Sequence, residues 1–476
     1  MKRNAHRAAF AVLAVVALAL LGACSHSMHA QRHHDAHHAA VPKNIIILFG
    51  DGAASTQWEL GRYTSRELRN RPFAVTDVVL KQGTLGLLTT YSADSAVTDS
   101  AAAATAMSTG YKTNNDMAGV TPDGKPVRTV MEAAKARGKR VGLVTTATVH
   151  DASPTAFSVH AKSRRESQAI VDQFLAFEPD VLMGGGRDYF LPKGKGGGMR
   201  SDGLDVMAAF GAKGYDVVQA PSALAAAAGP RLLALFADDD MDHEIDRDPA
   251  REPSPAEMAT AALRVLSANS PNGFVLFLEN ENIDTSGHRN DAAALVRDLW
   301  AFDDAVQVAL EFQRRVPDTL IIVTGDHETG GLSWTYAQKD LSSMSSSNRF
   351  YPGRAHLDLL MAIRGSLEKA SDALGKKPTA EVLDAVIAKQ FPGYVLDADL
   401  RALILSGKTI ERNVSYLPHG LLGRMVARQT GFYWGTSGHT TEPAVVGAIG
   451  PGESAFRGYM DNTDFSRALH RLIDGR

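Results

Sequence analysis

The stretch KNIIILFGDG, residues 43–52, indicates the class of fold to which this chain belongs. It is a continuous apolar run that ends at Gly50-Asp51-Gly52, as expected of a strand buried on both faces. Four further runs read in the same way: RVGLVTTATV (140–149), GFVLFLE (273–279), TLIIVT (319–324) and VVGAI (445–449). Amphipathic stretches such as residues 255–268 and 292–312 lie between them. Strands that alternate with helices predict an α/β fold, with a large, mainly parallel central sheet covered by helices on both faces.

Most of these apolar runs are followed by a carboxylate or an imidazole. Asp51 follows the first run, His150 and Asp151 the second, Glu279 and Asp284 the third, and Asp326 and His327 the fourth. Ligands of open α/β sheets bind at the carboxyl ends of the strands. We therefore expect these side chains to converge on one edge of the sheet.

Histidine nitrogens combined with carboxylate oxygens suit Zn²⁺. Two such sites can be assembled: Asp284, His288 and His439 for one, and Asp51, Asp326 and His327 for the other. We expect Asp284 and His288 to lie on a short loop or turn after a strand. Asp51, Glu279 and a hydroxyl such as Ser153 would form a third, all-oxygen site, which suits Mg²⁺. Any one of these Asp–His pairs alone usually occurs on a protein surface without binding a metal. The indication of metal sites comes from their joint placement at strand ends.

The segment YSADSAVTDSAAAAT, residues 91–105, offers Ser95 and Ser100 as candidate nucleophiles. No His-Asp pattern lies nearby, so we expect activation by metal coordination, with two zinc ions about 4 Å apart doing the work of a general base. Ser100 precedes small residues of high helix propensity, which predicts a helix start where free N–H groups favour an anion. Ser95 precedes β-branched residues and Asp99, where a phosphate would need to sit. The pattern therefore favours Ser100, with Ser95 as a loop serine.

The block VTDSAAAAT at residues 97–105 resembles the signature of the alkaline phosphatases. Six other blocks resemble that family in the family's order: KNIIILFGDG, HDASPTAF, MGGGRDYF, ENENIDTSGH, TGDHETGG and GHTTEPAVVGAIGP. The similarity covers residues 43–335 and 436–476. The resemblance implies an alkaline-phosphatase-like fold and hydrolysis of phosphate monoesters through a phosphoserine. It also implies two Zn²⁺ and one Mg²⁺ as cofactors, and a homodimer as the family expectation.

The resemblance also implies roles for individual residues. The nucleophile corresponds to Ser100, and the three metal sites correspond to the three ligand sets given above. The phosphate-clamping arginine falls on Arg164, with Arg165 as the alternative in register. Three positions depart from common members of the family. Ser153 stands in place of a threonine, Thr285 in place of a lysine or histidine, and Asp151, behind the magnesium, would lack its lysine partner.

The catalytic domain is predicted to span residues 43–476, with an insertion at about 333–438. The insertion contains the helical-looking stretches 357–374 and 380–391, and we expect it to fold over or beside the active-site face.

The first 24 residues read as a targeting segment. A basic start is followed by an apolar stretch at residues 8–21, which is typical of a signal peptide. LGAC at 21–24 looks like a bacterial lipobox, and Cys24 is the only cysteine of the chain, although a plain signal peptide remains the alternative. Lipidation at Cys24 would anchor the protein to the periplasmic side of a membrane, or to the outer membrane or cell surface. Residues 25–42 are His-rich and read as a flexible tether or a metal-collecting tail.

Other functions remain open at this stage. A phosphodiesterase or a sulfatase could use the same two-metal core, but the third, oxygen-rich site and Arg164 fit a dianionic monoester better. A sulfatase would also need a modified Cys or Ser in another context. A metal-storage lipoprotein that uses its His tract is the alternative that is not an enzyme. The net charge of −3 gives no signal for nucleic-acid binding.

Overall fold

The computed structural model describes residues 41–340 and 342–475. The predicted signal peptide, Cys24 and most of the His-rich segment lie outside the described residues. The strands of the described part are β1 (Asn44–Gly50), β2 (Thr84–Leu88), β3 (Arg140–Thr148), β4 (Val181–Gly185), β5 (Asp216–Val218), β6 (Leu232–Leu235), β7 (Phe274–Asn280), β8 (Thr319–Thr324), β9 (Leu332–Trp334), β10 (Ala337–Gln338), β11 (Arg349–Phe350), β12 (Phe432–Trp434), β13 (Ala444–Ile449) and β14 (Gly458–Met460).

The helices fill the connections between these strands. They are α1 (Ser55–Thr64), α2 (Ser100–Thr109), α3 (Val130–Ala136), α4 (Ala152–Ser158), α5 (Ser167–Phe177), α6 (Val206–Ala212), α7 (Pro221–Ala226), α8 (Pro255–Ser267), α9 (Asn282–His288), α10 (Ala292–Arg315), α11 (Arg354–Met361), α12 (Leu367–Leu374), α13 (Ala380–Gln390), α14 (Ala398–Ser406), α15 (His419–Thr430) and α16 (Asn462–Asp474). Shorter π-helical segments span Ser65–Arg69 and Val75–Leu80, and 3₁₀ turns span Arg187–Phe190, Ser346–Asn348 and Glu453–Phe456. Within residues 41–340 and 342–475, none of these helices is long and apolar enough to cross a membrane.

A ten-stranded sheet organises the chain, in the order β14-β2-β13-β8-β1-β7-β3-β4-β6-β5. The central strand β1 pairs in parallel with β7 and β8. Among the described strands of this sheet, only β13 runs against the others, since it is antiparallel to both of its neighbours, β8 and β2. Two small antiparallel ribbons, β9 with β12 and β10 with β11, lie outside the sheet. The predicted α/β fold with a mainly parallel sheet is confirmed.

Strand β1 shows why the sheet is covered on both faces. Ile46 and Leu48 belong to one apolar layer, whereas Ile45, Ile47 and Phe49 belong to the other. This alternation follows from the two-residue period of a strand. Residues of α8 and α10 complete the first layer, and residues of α2, α4 and α16 complete the second. The sheet is therefore the middle of three layers.

The sequence patterns located the central strands but missed several outer ones. The five predicted runs correspond to β1, β3, β7, β8 and β13, whereas β2, β4, β5, β6 and β14 were not among them. The missed strands have only three to five residues, and β2 and β4 contain glycines, which have low strand propensity. The helical stretch predicted at 357–374 is broken between Met361 and Leu367, where Ser366 caps the next helix by accepting a hydrogen bond from the Lys369 N–H.

Candidate active site

The sheet brings residues from distant parts of the chain to one edge. Asp51 follows β1, Glu279 is the penultimate residue of β7, and Asp326 follows β8. His439 precedes β13, and because β13 runs in the opposite direction its start lies at the edge where its neighbours end. A cavity of about 350 Å³ opens here. It is lined by Asp51, Ser100, Asp151, Arg164, Glu281, Asp284, Thr285, His288, Arg289, Tyr416 and His439.

Asp284, His288 and His439 form the first group of candidate cation ligands. Asp284 Oδ2 lies 3.1 Å from His288 Nε2, and the two imidazole Nε2 atoms are 3.1 Å apart. Each Nδ1 faces a backbone carbonyl, of Ser437 at 2.7 Å for His288 and of Thr98 at 2.8 Å for His439. A carbonyl only accepts, so each Nδ1 carries a proton, and each Nε2 presents a lone pair when the ring is neutral. Two lone pairs and a carboxylate therefore converge on one point, which fits a divalent cation.

Two further observations concern this group. The expectation of a loop is wrong, because Asp284 and His288 lie four residues apart on helix α9, which places them on one face. In addition, burial opposes ionisation of both side chains, but the attraction between them lowers the pKa of Asp284 and raises that of His288 to about 9. The metal-free site therefore retains a proton where a cation would otherwise balance the carboxylate.

Asp51, Asp326 and His327 form the second group. His327 Nε2 lies 3.2 Å from Asp326 Oδ2 and 3.7 Å from Asp51 Oδ1. Neither of these oxygens has a hydrogen-bond partner within the described part of the chain, although both side chains are buried. Burial and the charge of Asp326 raise the pKa of Asp51, and burial and the charge of Asp284 raise that of Asp326 to about 7. Asp284 also faces this group, because its carboxylate, that of Asp51 and the His327 imidazole place ligand atoms within 4.8 Å of one another.

Glu279 and Ser153 are the remaining candidate oxygen ligands beside Asp51. Glu279 Oε1 and Ser153 Oγ are both buried without a hydrogen-bond partner among residues 41–340 and 342–475. The other oxygen of Glu279 accepts a hydrogen bond of 2.6 Å from the Thr145 hydroxyl, which fixes the carboxylate. Burial raises the pKa of Glu279 to about 8. A buried set made only of oxygens fits Mg²⁺.

Ser100 is the first residue of α2 and lines the cavity. Asp99 caps the helix by accepting a hydrogen bond of 2.9 Å from the Ala102 N–H. The alanines after Ser100 pack α2 closely into the core, which leaves Ser100 only 4% exposed. Its Oγ lies 3.2 Å from His327 Nε2, within the second ligand group. Ser95 does not line the cavity, and its Oγ accepts a hydrogen bond from the Val97 N–H.

Arg164 lines the cavity opposite these ligands. Its Nη2 lies 2.7 Å from Asp151 Oδ1, and its Nη1 lies 3.6 Å from Asp99 Oδ2. Burial opposes the charge of the guanidinium, but Asp151 outweighs this effect and raises the pKa of Arg164. The side chain of Arg165, the alternative in register, is 82% exposed and pairs with Asp116 instead. Arg164, not Arg165, therefore lines the cavity that Ser100 also lines.

Sequence patterns missed three of the residues that line the cavity: Glu281, Arg289 and Tyr416. Thr285, at the position where the resemblance would place a cation, donates a hydrogen bond to Glu281 Oε1. Arg289 lies one turn later and is held at 2.6 Å by Glu368. Its position directly after His288 is a signal that the sequence did carry. Tyr416 comes from the predicted insertion, and its contact with the site has no local sequence signal.

A hydroxyl at a helix start, a guanidinium and three groups of cation ligands around one cavity are typical of metal-dependent phosphoryl-transfer enzymes. The sequence model of the family described as alkaline phosphatase matches residues 42–474, so the chain belongs to the alkaline phosphatase family, whose members hydrolyse phosphate monoesters. The matched range includes the predicted insertion.

Individual relatives agree with this assignment. The chain is 30% identical over 447 residues to alkaline phosphatase 3 of Bacillus subtilis, a match that covers 90% of this chain and 89% of that protein. It is 30% identical over 476 residues to the repressible alkaline phosphatase of Saccharomyces cerevisiae, covering 91% and 81%. The crystal structure of Thermus thermophilus alkaline phosphatase superposes with a TM-score of 0.80 at 32% identity, covering 92% of this chain and 93% of that one.

Proposed function

We propose that the protein hydrolyses phosphate monoesters through a covalent phosphoserine at Ser100, with two Zn²⁺ and one Mg²⁺ as cofactors. The observation that carries this proposal is the position of the Ser100 hydroxyl. It lies at the start of a buried helix, 3.2 Å from a nitrogen of His327 and in the same cavity as Arg164. A nucleophile, an anion-binding helix start and an anion-binding guanidinium therefore face one small space.

The residues present fit the three ions. Asp284, His288 and His439 would hold one zinc, Asp51, Asp326 and His327 the other, and Asp51, Ser153 and Glu279 the magnesium. Buried oxygens without partners on Asp51, Asp326 and Glu279 support this arrangement, because carboxylates are not otherwise left unpaired in a protein interior. When bound, the zinc ions would lower the pKa of a hydroxyl or water and neutralise charge on the reacting oxygens.

The protein's own groups define the course of the reaction. Ser100 Oγ gives up its proton and attacks the phosphorus, the ester P–O bond breaks, and the leaving oxygen takes up a proton. Arg164 binds two non-bridging oxygens of the phosphate with its planar fork, and Asp151 holds that fork in place. A water molecule then attacks the phosphoserine. The Ser100 oxygen leaves and is reprotonated, and inorganic phosphate is released.

A phosphodiesterase of the same superfamily is the alternative. The charge of Arg164 and the oxygen-rich group at Glu279 suit a dianionic monoester better than a diester, which also needs room for a second organic substituent. We therefore expect an aryl phosphate to be hydrolysed far faster than the matching bis-aryl phosphate. Faster hydrolysis of the diester would contradict the proposal.

We also propose that the enzyme is exported and anchored by a lipid on Cys24, so that phosphate is released outside the cytoplasm. The supporting observation is the lipobox-like LGAC at 21–24, with Cys24 as the only cysteine of the chain. Cys24→Ser should release the enzyme from the membrane fraction without changing its activity. Retention of this variant in that fraction would contradict the anchor. A homodimer remains a family expectation.

The phosphoserine is tested by Ser100→Ala, with Ser95→Ala as the matched control. Ser100→Ala should bind zinc nearly as wild type but should incorporate no phosphate when it is incubated with inorganic phosphate at mildly acidic pH and quenched in acid. Ser95→Ala should incorporate phosphate as wild type does. Covalent phosphate on the Ser100→Ala variant would show that the nucleophile is another residue.

A further inference from the structure

One aromatic side chain stands out in the wall of the catalytic cavity. All other lining residues of the described chain carry a carboxylate, an aliphatic hydroxyl, an imidazole or a guanidinium, whereas Tyr416 contributes a phenol ring. Its side chain is 43% exposed, and its ring centroid lies 5.6 Å from that of His288. A partly exposed aromatic ring at the wall of a polar cavity can stack on another planar group.

The position of Tyr416 is fixed relative to the first group of cation ligands. The Ser415 N–H donates to Ser437 Oγ at 2.9 Å, and the Ser437 N–H donates to the Asn413 carbonyl at 2.9 Å. The carbonyl of the same Ser437 accepts the hydrogen bond from His288 Nδ1. One backbone segment therefore orients both the imidazole of His288 and the residue that precedes Tyr416.

The direction of the reaction places the leaving group on this side of the cavity. Ser100 Oγ lies beside His327, so the attack comes from the second group of ligands. In an in-line displacement the leaving oxygen departs on the side of the phosphorus opposite the nucleophile. With the phosphate bound between the two groups of ligands, that side would face the first group, where the Tyr416 ring lies near His288.

We propose that Tyr416 is a specificity-determining residue that stacks on a planar ring in the leaving group. This inference rests on the proposed function. It assigns the enzyme a preference for phosphate monoesters of aryl alcohols or nucleosides over those of small aliphatic alcohols. The cavity offers a flexible alkyl group no comparable contact, since its other lining residues are polar. Tyr416 comes from the segment 333–438, so that segment contributes directly to substrate choice.

The test compares phenyl phosphate, adenosine 5′-phosphate and ethyl phosphate in wild type, Tyr416→Ala and Tyr416→Phe. Tyr416→Ala should lower kcat/KM for the ring-bearing esters by roughly three- to tenfold, the effect expected for loss of one aromatic contact. For ethyl phosphate the change should stay below about twofold, because that ester makes no stacking contact. Tyr416→Phe keeps the ring and should behave as wild type. A loss with phenyl phosphate alone would identify aryl esters as the preferred class, and a loss with the nucleotide alone would identify nucleosides.

The control variant is Tyr351→Ala, which removes another exposed tyrosine of the same segment, one that does not line the cavity. It should change none of the three values, and inhibition by inorganic phosphate should be the same in all variants. Equal losses on all three esters, or no loss on any, would overturn the role of Tyr416. Failure of the wild type to hydrolyse any of the three would instead refute the proposed function.

Discussion

Glu279→Gln should stabilise the metal-free protein and weaken the metal-loaded one. Burial raises the pKa of Glu279 from the ordinary 4.5 to about 8. A carboxyl group whose pKa is raised by folding does not affect the free energy of unfolding at a pH below its pKa in the unfolded chain. As the pH rises from about 4.5 to about 8, it destabilises the folded state increasingly. At 1.36 kcal/mol per pKa unit, the cost reaches about 4–5 kcal/mol at pH 8. Glutamine has the same shape without the charge, so most of that cost disappears in the chelated variant.

The assay is urea denaturation of chelator-treated protein at pH 5 and pH 8. The difference in unfolding free energy between Glu279→Gln and wild type should be small at pH 5 and several kcal/mol in favour of the variant at pH 8. With Mg²⁺ added, wild type should become the more stable of the two proteins, because glutamine cannot supply the anionic oxygen ligand that Glu279 provides. Glu67→Gln, at an exposed glutamate, is the control and should change little at either pH. Equal stability of Glu279→Gln and wild type at pH 8, or equal stabilisation of both by Mg²⁺, would refute the reasoning.

Two further predictions concern the phosphate and zinc sites. Arg164→Lys should weaken inhibition by inorganic phosphate at least tenfold, because an ammonium group cannot form the bidentate contact. Arg165→Lys, at an exposed arginine, should leave this inhibition unchanged. Equal effects of the two variants would contradict the assignment of Arg164. Zinc must displace the proton from His288, whose pKa is about 9 in the metal-free site. The affinity for zinc should therefore fall up to about tenfold for each pH unit below 9. Competition with a chelator of known pH dependence measures this affinity. An affinity that is independent of pH would show that His288 does not compete for the ion.

The sequence predicted the centre of the fold better than its edges. A strand such as β1, covered on both faces, must be apolar throughout, and this leaves an unbroken run in the sequence. The edge strands β5 and β14 have three residues each, and three residues are too few to form a recognisable hydrophobic pattern. The expectation of a loop for Asp284 and His288 is wrong, because the segment is helical although the TSG between them has low helix propensity.

The same distinction applies to the site. Residues that follow buried strands, such as Asp51 and Asp326, can be assigned to one edge from local patterns and the direction of a parallel sheet. Tyr416 could not be assigned in this way, and for Arg289 the sequence indicated only its place directly after His288, because the orientation of both side chains depends on contacts between helix α9 and the segment 333–438. Arg289, for example, is held by Glu368 of α12. Such contacts have no period and no fixed spacing in the sequence.

His439 shows most clearly why the catalytic centre depends on the topology of the whole sheet. A residue that precedes a parallel strand would lie at the amino edge, on the far side of the sheet from Asp51 and Asp326. His439 reaches their edge because β13 is inserted in the opposite direction between β8 and β2. Its Nδ1 is then oriented by the Thr98 carbonyl, two residues before the proposed nucleophile Ser100. The reversed strand thus brings the candidate ligand His439 and the start of helix α2 into one hydrogen-bonded unit. Any change that shifts β13 in register should therefore disturb the proposed zinc binding and the position of Ser100 together.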